Sequence, residues 1–586
     1  MTANVVSLAI NAGIQKDGTV FDAPTYVDGK WVRFQNGRPR KMGGYRGIFL
    51  NAPSISRGMT MQSQEGLNYV YSGFNDSLQY WQTDNDDGVG SGPYPISLSN
   101  FTSNANNLWQ FDIGYDANGS GALQIVAHAG VNLQYIDNTV NTPVLVGTFP
   151  GGALSQVGVF AVAGTLAGAV FTIPSGDYRI GIGQTVTGAS LPANTTVVSS
   201  SVAGTVTTVI LSSSAGTAGA RTLTFNNNIS VSGGACMLYP YLFVYGNNGL
   251  IQNSSAGDFT NWVSADSNSN TVSSTKVVKG MALRGGTTSP AGLFWSLDQL
   301  TRVTYSPTTV GTSTLYWRYD IISTSTSILS AQCPVEYDGL IYWIAVDRFL
   351  MYNGVVQEIP NTTNLNYFFD NLNFANRNKV WGTKIPRWGE IWWFYPHGDS
   401  TECNNAIIYN VRTQTWYDAG FADGARRSAG VFSEVFKYPL WAENQLNTDN
   451  TYTIWQHETG VDRIYLTNVS AVESTIETNS IGWVGGGPGQ RAIQGVNRWI
   501  RIERFEPDFV QTGNMQLIIT GKGYAEDVDD PSEPFTFAPD TLKIDLKLQR
   551  REMRLKLISN EAGGNFYMGN CLLSVDLGDE RSTGNP

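Results

Sequence analysis

The chain has 586 residues, only 15% of them charged, with 63 Gly, 16 Trp, 27 Tyr, 26 Phe and a formal net charge of −11 at pH 7. A single hydrophobic core stops growing near about 250–300 residues, so one compact domain is excluded, and the aromatic, Gly-rich composition predicts an all-β chain of short strands and tight turns. The acidic balance argues against a protein whose main task is gripping phosphates, which rests on Lys and Arg displacing counterions; passage of DNA without holding it stays compatible.

The opening MTANVVSLAINAGIQKDG lacks the basic start and long apolar run of a signal peptide, and no later run approaches the roughly 20 apolar residues of a membrane helix. A soluble protein made in the cytoplasm is expected. Residues 1–60 read as a segment that joins or closes the fold that follows. Within it, residues 28–57 carry Lys30, Arg33, Arg38, Arg40, Lys41, Arg46 and Arg57 against Asp28 alone. The first six are the candidate contact residues, for an acidic neighbouring subunit ahead of DNA backbone. The alternative is a solvated loop paired with acids of a later sheet.

From residue 61 a weak repeat begins: an aromatic or aliphatic strand, a Gly/Asn/Asp turn, and a second strand ending in Tyr or Trp and a polar residue. Seven such hairpins, among them GLNYVYSGFNDSLQYW and GLIYWIAVDRFLMYNG, are marked by Tyr80, Tyr135, Ile251, Tyr305, Tyr352, Tyr409 and Ile454. Successive gaps are 55, 116, 54, 47, 57 and 45 residues, and five of the six lie near the roughly 40–50 residues of a four-stranded propeller blade. The long gap contains 151–227, 77 residues without Trp and with only Asp177, Arg179 and Arg221 charged; its removal leaves 39. The predicted fold is therefore a β-propeller of six or seven blades, its first part in 61–150 and its second in 228–465. A small β-sandwich-like domain is inserted at 151–227, and a β-domain at 466–586 ends the chain and could complete the last blade.

Signatures of chemistry are sparse. Cys236, Cys333, Cys403 and Cys571 lack metal or disulfide spacing and read as buried free thiols. His128, His397 and His457 stand far apart, and there is no GxSxG, Walker or GxGxxG signature. Asp258, Asp298, Asp338, Asp347 and Glu390 are acids of the kind a glycosidase pairs, but turn capping accounts for such positions more simply. SSAGDFTNW, around Asp258, is similar to the Asp-box turn of sialidase-like propellers but has a shorter Asp–Trp spacing and occurs once. Asp527, Asp529 and Asp530 form an acidic loop without the glycine and distal glutamate of a calcium loop. The expectation is a chain that is not an enzyme, with no catalytic residue, cofactor or metal.

Three stretches carry a family resemblance: DAPTYVDGKWVRFQNGRPRKMGGYRGI, with its Trp-x-Arg strand and basic Gly-Gly turn; the hairpins such as GLIYWIAVDRFLMYNG; and REMRLKLISNEAGGNFYMGNCLLSVDLGDER, the most specific. Together they resemble the tail nozzle proteins of short-tailed bacteriophages, also called tail tubular protein B, and the related phage DNA-stabilisation proteins. The resemblance implies a homohexameric ring in the virion tail, assembled in the host cytoplasm below the adaptor and portal, that retains genomic DNA and conducts it during ejection. Adaptor and portal proteins, tail fibres, genomic DNA and the host surface are the partners it brings. The alternative function is a carbohydrate-binding or receptor-binding tailspike or fibre-associated protein, with Trp392 and Trp393 stacking on sugars.

Overall fold

The computed structural model describes residues 4–20, 23–64, 67–83, 90–96, 108–115, 122–128, 133–137, 158–229, 232–285, 288–433, 436–482, 498–523 and 527–580. They are almost entirely β, with one short α-helix at Leu365–Asn371, and among them no helix is long and apolar enough to cross a membrane. The chain divides into two compact units, one of residues 56–346 and 350–357, the other of 1–55, 347–349 and 358–586.

Apart from the sheet of residues 159–226, the first of these units is a succession of antiparallel sheets whose strands follow one another in chain order. Gly58–Gln64, Leu67–Gly73, Leu78–Thr83 and Ser91–Ile96 make the first; Trp109–Tyr115, Ala122–His128 and Leu133–Asp137 the second. Four-stranded sheets then begin at Gly234–Leu238, Val277–Ala282 and Val335–Tyr337. The second strands of the first two of these, Tyr241–Tyr245 and Ala291–Ser296, are buried at every position, as continuous apolar runs covered on both faces must be. Trp295 meets Trp343 edge-to-face at 5.7 Å between the fourth and fifth sheets.

The leading strands of these sheets lie side by side: Gly58–Gln64 beside Trp109–Tyr115, that strand beside Gly234–Leu238, and that in turn beside Val277–Ala282. Two glutamines staple them. Gln110 Nε2 donates to Gly233 O at 2.8 Å, and Gln332 Nε2, just before the fifth sheet, donates to Arg57 O at 3.0 Å and Trp109 O at 2.8 Å in the first and second. Buried carbonyls at sheet junctions need such partners, because ladder bonding ends there.

Residues Val159–Asn226 form a separate six-stranded sheet around their own core of Leu166, Phe171, Val209, Leu223 and Phe225. It is one curled sheet rather than two packed ones. Its end strands meet, Val186 N–H donating to Thr195 O at 2.8 Å and Val197 N–H to Gln184 O at 2.9 Å. Curling satisfies edges that a flat sheet of this size would leave open.

The other unit holds two more sheets of the same meandering kind. Trp381–Ile385, Glu390–Tyr395, Asn405–Asn410 and Thr415–Asp418 form one; Arg427–Val431, Leu440–Glu443 and Tyr452–His457 begin the other. The N-terminal strand Tyr45–Ala52 pairs antiparallel with Tyr452–His457 and supplies the fourth strand. Each of the seven hairpin markers falls in a sheet of its own. The chain ends also interleave: Asn4–Ser7 pairs with Leu572–Glu580, Asp28–Lys30 with Ser474–Glu477, and Arg38–Lys41 with Asn565–Met568.

Trp31 sits at the centre of this body, with no exposed surface. Its Nε1 donates to Gly43 O at 2.9 Å, its N–H to Ala419 O, and its ring meets Tyr45, Trp392 and His457. A Cβ at Gly424 would lie 2.3 Å from the Trp31 ring, so only glycine admits the indole there. Trp31→Ala should cost about 3–5 kcal/mol, the range for a buried aromatic lost to a cavity, and Gly424→Ala should also destabilise by overpacking. Urea unfolding followed by tryptophan fluorescence measures both; a Trp31→Ala loss under about 1 kcal/mol would contradict this placement.

Candidate functional site

The six basic residues singled out in sequence do not form one exposed patch. Arg33 is buried, 1% exposed. Its Nε lies 2.9 Å from Glu390 Oε1, and Nη1 and Nη2 donate to the two carboxylate oxygens of Glu458 at 2.6 and 2.7 Å. Glu390, itself fully buried, also accepts from Trp392 Nε1 at 2.8 Å and Tyr417 OH at 2.7 Å. Burial raises the Glu390 carboxyl above its ordinary value and Arg33 opposes that rise, as expected where desolvation disfavours charge.

Lys41 is buried too. Its Nζ donates to Gly564 O at 2.6 Å, in the C-terminal Gly-Gly turn, and burial pushes its ammonium down to about 8. Lys30 pairs with Glu473 at 2.7 Å, and Arg38 Nη2 donates to Asn570 Oδ1 at 2.7 Å. Arg46 is part-exposed on the strand Tyr45–Ala52. Lys41 thus lies in the core and Lys30 and Arg38 at the seam joining the chain ends.

Arg40 differs. It stands cross-strand from Arg33, and both guanidiniums lie over the half-buried Trp388 ring, at 4.9 and 4.7 Å from its centroid. Exposed Arg387 approaches the same ring at 4.9 Å, and Trp388 Nε1 donates to Glu458 Oε2 at 2.9 Å. Burial, then Arg33 and Arg387, lower the Arg40 pKa. Arg412 donates to the carbonyls of Pro386 and Arg387, stiffening the turn that presents Trp388. The result is an aromatic ledge between a part-exposed and an exposed guanidinium, a geometry suited to carboxylate or phosphate contact. Sequence reasoning missed Trp388 and Arg387; the run PRWGE was the available signal.

A second candidate is an open cleft of about 420 Å³ lined by Lys16, Asp28, Glu477, Thr520, Arg554 and Lys556, among others. Lys16 is ion-paired to Asp28, and Arg554 bridges Glu477 at 3.3 Å and Asp529 at 2.6 Å. Asp530 is likewise paired with Arg550, so two acids of the loop at 527–530 are engaged by arginines. Among the described residues no group of three His, Cys, Asp or Glu is placed to hold a metal.

Most of the glycosidase-type acids have partners of their own. Asp258 accepts from Thr260 N–H and Oγ and Asp347 pairs with Arg348, each within its own turn, while Asp298 accepts from Ser296 beside it and from Ser273 and Thr275 of a neighbouring loop. Asp338 lies in a turn with positive φ. Trp392 and Trp393 are fully buried, which removes them as sugar platforms. Trp262 packs against the cluster of Leu242, Val244 and Phe259. All four cysteines are buried and none is in a disulfide; burial raises Cys333 to about 11 and Cys571 to about 12. His457 accepts from Arg427 Nε at 3.0 Å, and burial holds it neutral well below the usual imidazole range, whereas His397 faces Tyr367 OH. The His128 side chain lies outside the described residues.

No family model matches the chain, and no curated protein matches it. Among solved structures it is similar to an endosialidase of phage phi92, with 10% identity, TM-score 0.27, and 71% of this chain and 68% of that one covered. A glycoside hydrolase gives 11%, 0.24, 89% and 100%, and an ulvan lyase from a new family of polysaccharide lyases 10%, 0.29, 72% and 96%. The expectation that the chain is not an enzyme is set aside on this finding, since all three matches are carbohydrate-active enzymes. At such TM-scores they transfer neither a substrate nor a reaction.

Two outcomes follow from the buried charges. Arg33→Ala leaves two carboxylates buried without their partner and should cost about 3–5 kcal/mol in denaturant unfolding, with Arg33→Met plus Glu390→Gln and Glu458→Gln recovering much of it. Lys41 has a folded pKa of about 8 against 10.5 ordinarily. Between those values the unfolded chain binds a proton the folded chain lacks, so this residue's contribution to stability rises with pH across that window and is least below 8. The melting temperature of wild type relative to Lys41→Met should therefore increase from pH 8 to 10.5; a flat difference would remove the buried-ammonium assignment.

Proposed function

We propose that the chain is a tail protein of a short-tailed phage virion and serves as a nozzle subunit, in a ring that contacts adaptor and portal and lets genomic DNA pass. The five sheets between residues 58 and 358 are taken as propeller blades gathered about their leading strands, a reading supported by the Gln332 bonds to Arg57 and Trp109. The observation that carries the nozzle reading is the union of the two stretches that bear the resemblance. Arg40 is registered with Tyr567, and Lys41 Nζ reaches Gly564 O. That body presents Arg40 and Arg387 around Trp388, a ledge fit for an acidic neighbour or a DNA phosphate.

A second reading, a saccharide-binding or receptor-binding tail protein, is supported by the open cleft at Lys16, Thr520 and Lys556, which offers ammonium and hydroxyl donors beside the carboxylates of Asp28 and Glu477. Electron microscopy of purified protein and tails should give six-fold rings with a central channel under the nozzle reading. Arg40→Glu with Arg387→Glu should weaken attachment to the adaptor or slow DNA release while leaving the melting temperature nearly unchanged. Three-fold spikes, or binding or cleavage of an acidic glycan that Lys556→Ala abolishes, would instead establish the second reading.

A further inference from the structure

The fourth sheet ends in strands longer than its other two. Leu300–Val310 and Ser313–Ser323 have 11 residues each, whereas Ala291–Ser296 has six and its register with Leu300–Val310 stops at Thr304. Beyond that point the two long strands continue alone as a ribbon, paired Thr308 to Leu315, Thr309 to Thr314 and Val310 to Ser313, and turned at Gly311 with φ of 65°. An unsupported two-stranded ribbon is only marginally stable in water.

The ribbon has a sided pattern. Cross-strand partners share a face, so Val310 and Leu315 fall on the face of Trp317, while Thr309 and Thr314 take the other. Trp317 is buried against Tyr241, Phe243 and Tyr305. The apolar face then runs outward from this packed base to Leu315 and Val310, which are 56% and 62% exposed.

Its edges are unguarded. Natural proteins blunt open strand edges with charge, yet residues 303–317 contain no Asp, Glu, Lys or Arg, and Ser313–Ser323 is the outermost strand of its sheet. Pro307, in an irregular stretch between Tyr305 and Thr308, protects only the other strand. In a chain of net charge −11, copies repel one another over much of their surface, but a charge-free ribbon meets its own kind without that cost.

We infer that the tip of the 300–323 hairpin is a homotypic docking element, its open edge and its Val310/Leu315 face pairing with the same hairpin of a second copy of this chain. A same-to-same contact of this kind is two-fold symmetric, so it joins two copies and is separate from the head-to-tail contacts that would close the ring of the nozzle reading, on which it rests only for the number of such pairs. Pairing adds ladder hydrogen bonds at the edge and covers the apolar face, the two terms an isolated ribbon lacks.

The test uses full-length protein. Thr314→Cys introduces a surface thiol into a chain whose own four cysteines are buried, and a short bismaleimide should join two chains through it. Val310→Lys with Leu315→Lys should lower self-association at least tenfold by sedimentation, with an unchanged melting temperature. Replacing 306–315 by Asn-Gly provides a second variant that removes the ribbon without charging it. Rings that persist in both of these variants, with no crosslink in the Thr314→Cys protein, would overturn the hairpin contact and leave the ring reading standing. Crosslinked pairs without six-fold particles would do the opposite. Protein that stays monomeric and uncrosslinked at every concentration would overturn both.

Discussion

The unit that unites the chain ends depends on one buried arginine being answered by two carboxylates. Arg33 is brought to Glu390 and Glu458 across sequence separations of 357 and 425 residues. Burying such charges costs several kcal/mol per ion, so the network is a poor source of net stability; its effect is on which arrangement survives. A strand slipped by one residue turns every side chain to the opposite face. Slippage of Val32–Gln35 would leave Glu390 and Glu458 buried without Arg33, and Trp31 out of the slot that Gly424 keeps open.

The meandering sheets were legible because each repeats the same local chemistry. Alternating aromatic strands and Gly/Asn/Asp turns recur at near-constant spacing, and hairpin pairing is short-range, so Tyr80 through Ile454 each mark a separate sheet. The inserted Gly/Ser/Thr-rich stretch was legible by contrast in composition, but not its curling into a single sheet, because closure depends on contacts such as Val186 to Thr195 at the ends of the strand order. Interleaving of the termini was hidden as well. A pairing such as Arg40 with Tyr567 leaves no periodic trace in either segment.

The basic segment near the N-terminus shows where charge counting stops being informative. Composition reports that Arg33, Lys41 and Arg40 are close in sequence, not which of them finds a carboxylate, a carbonyl or an aromatic face. The partners of Arg33 and Lys41 come from positions 390, 458 and 564, and nothing in residues 28–57 announces them. Trp392 and Trp393 make the complementary point: a Trp pair within a run of six buried residues is sheet packing, and the run IWWFY was the sign of it.

Like charges set directly across a β-ladder repel, and Arg33 stands opposite Arg40. The two glutamates offset the pair, but asymmetrically: both engage Arg33, while Arg40 is left with Gln35, Tyr567 nearby and the face of Trp388. Arg387 adds a further positive charge on the same ring. Arg33 and Arg40 against Glu390 and Glu458 sum to zero, so the positive charge left at the surface beside them is that of Arg387. The core network and the exposed ledge are two sides of one charge balance, and a residue that orders the interior also sets the electrostatics of the neighbouring surface.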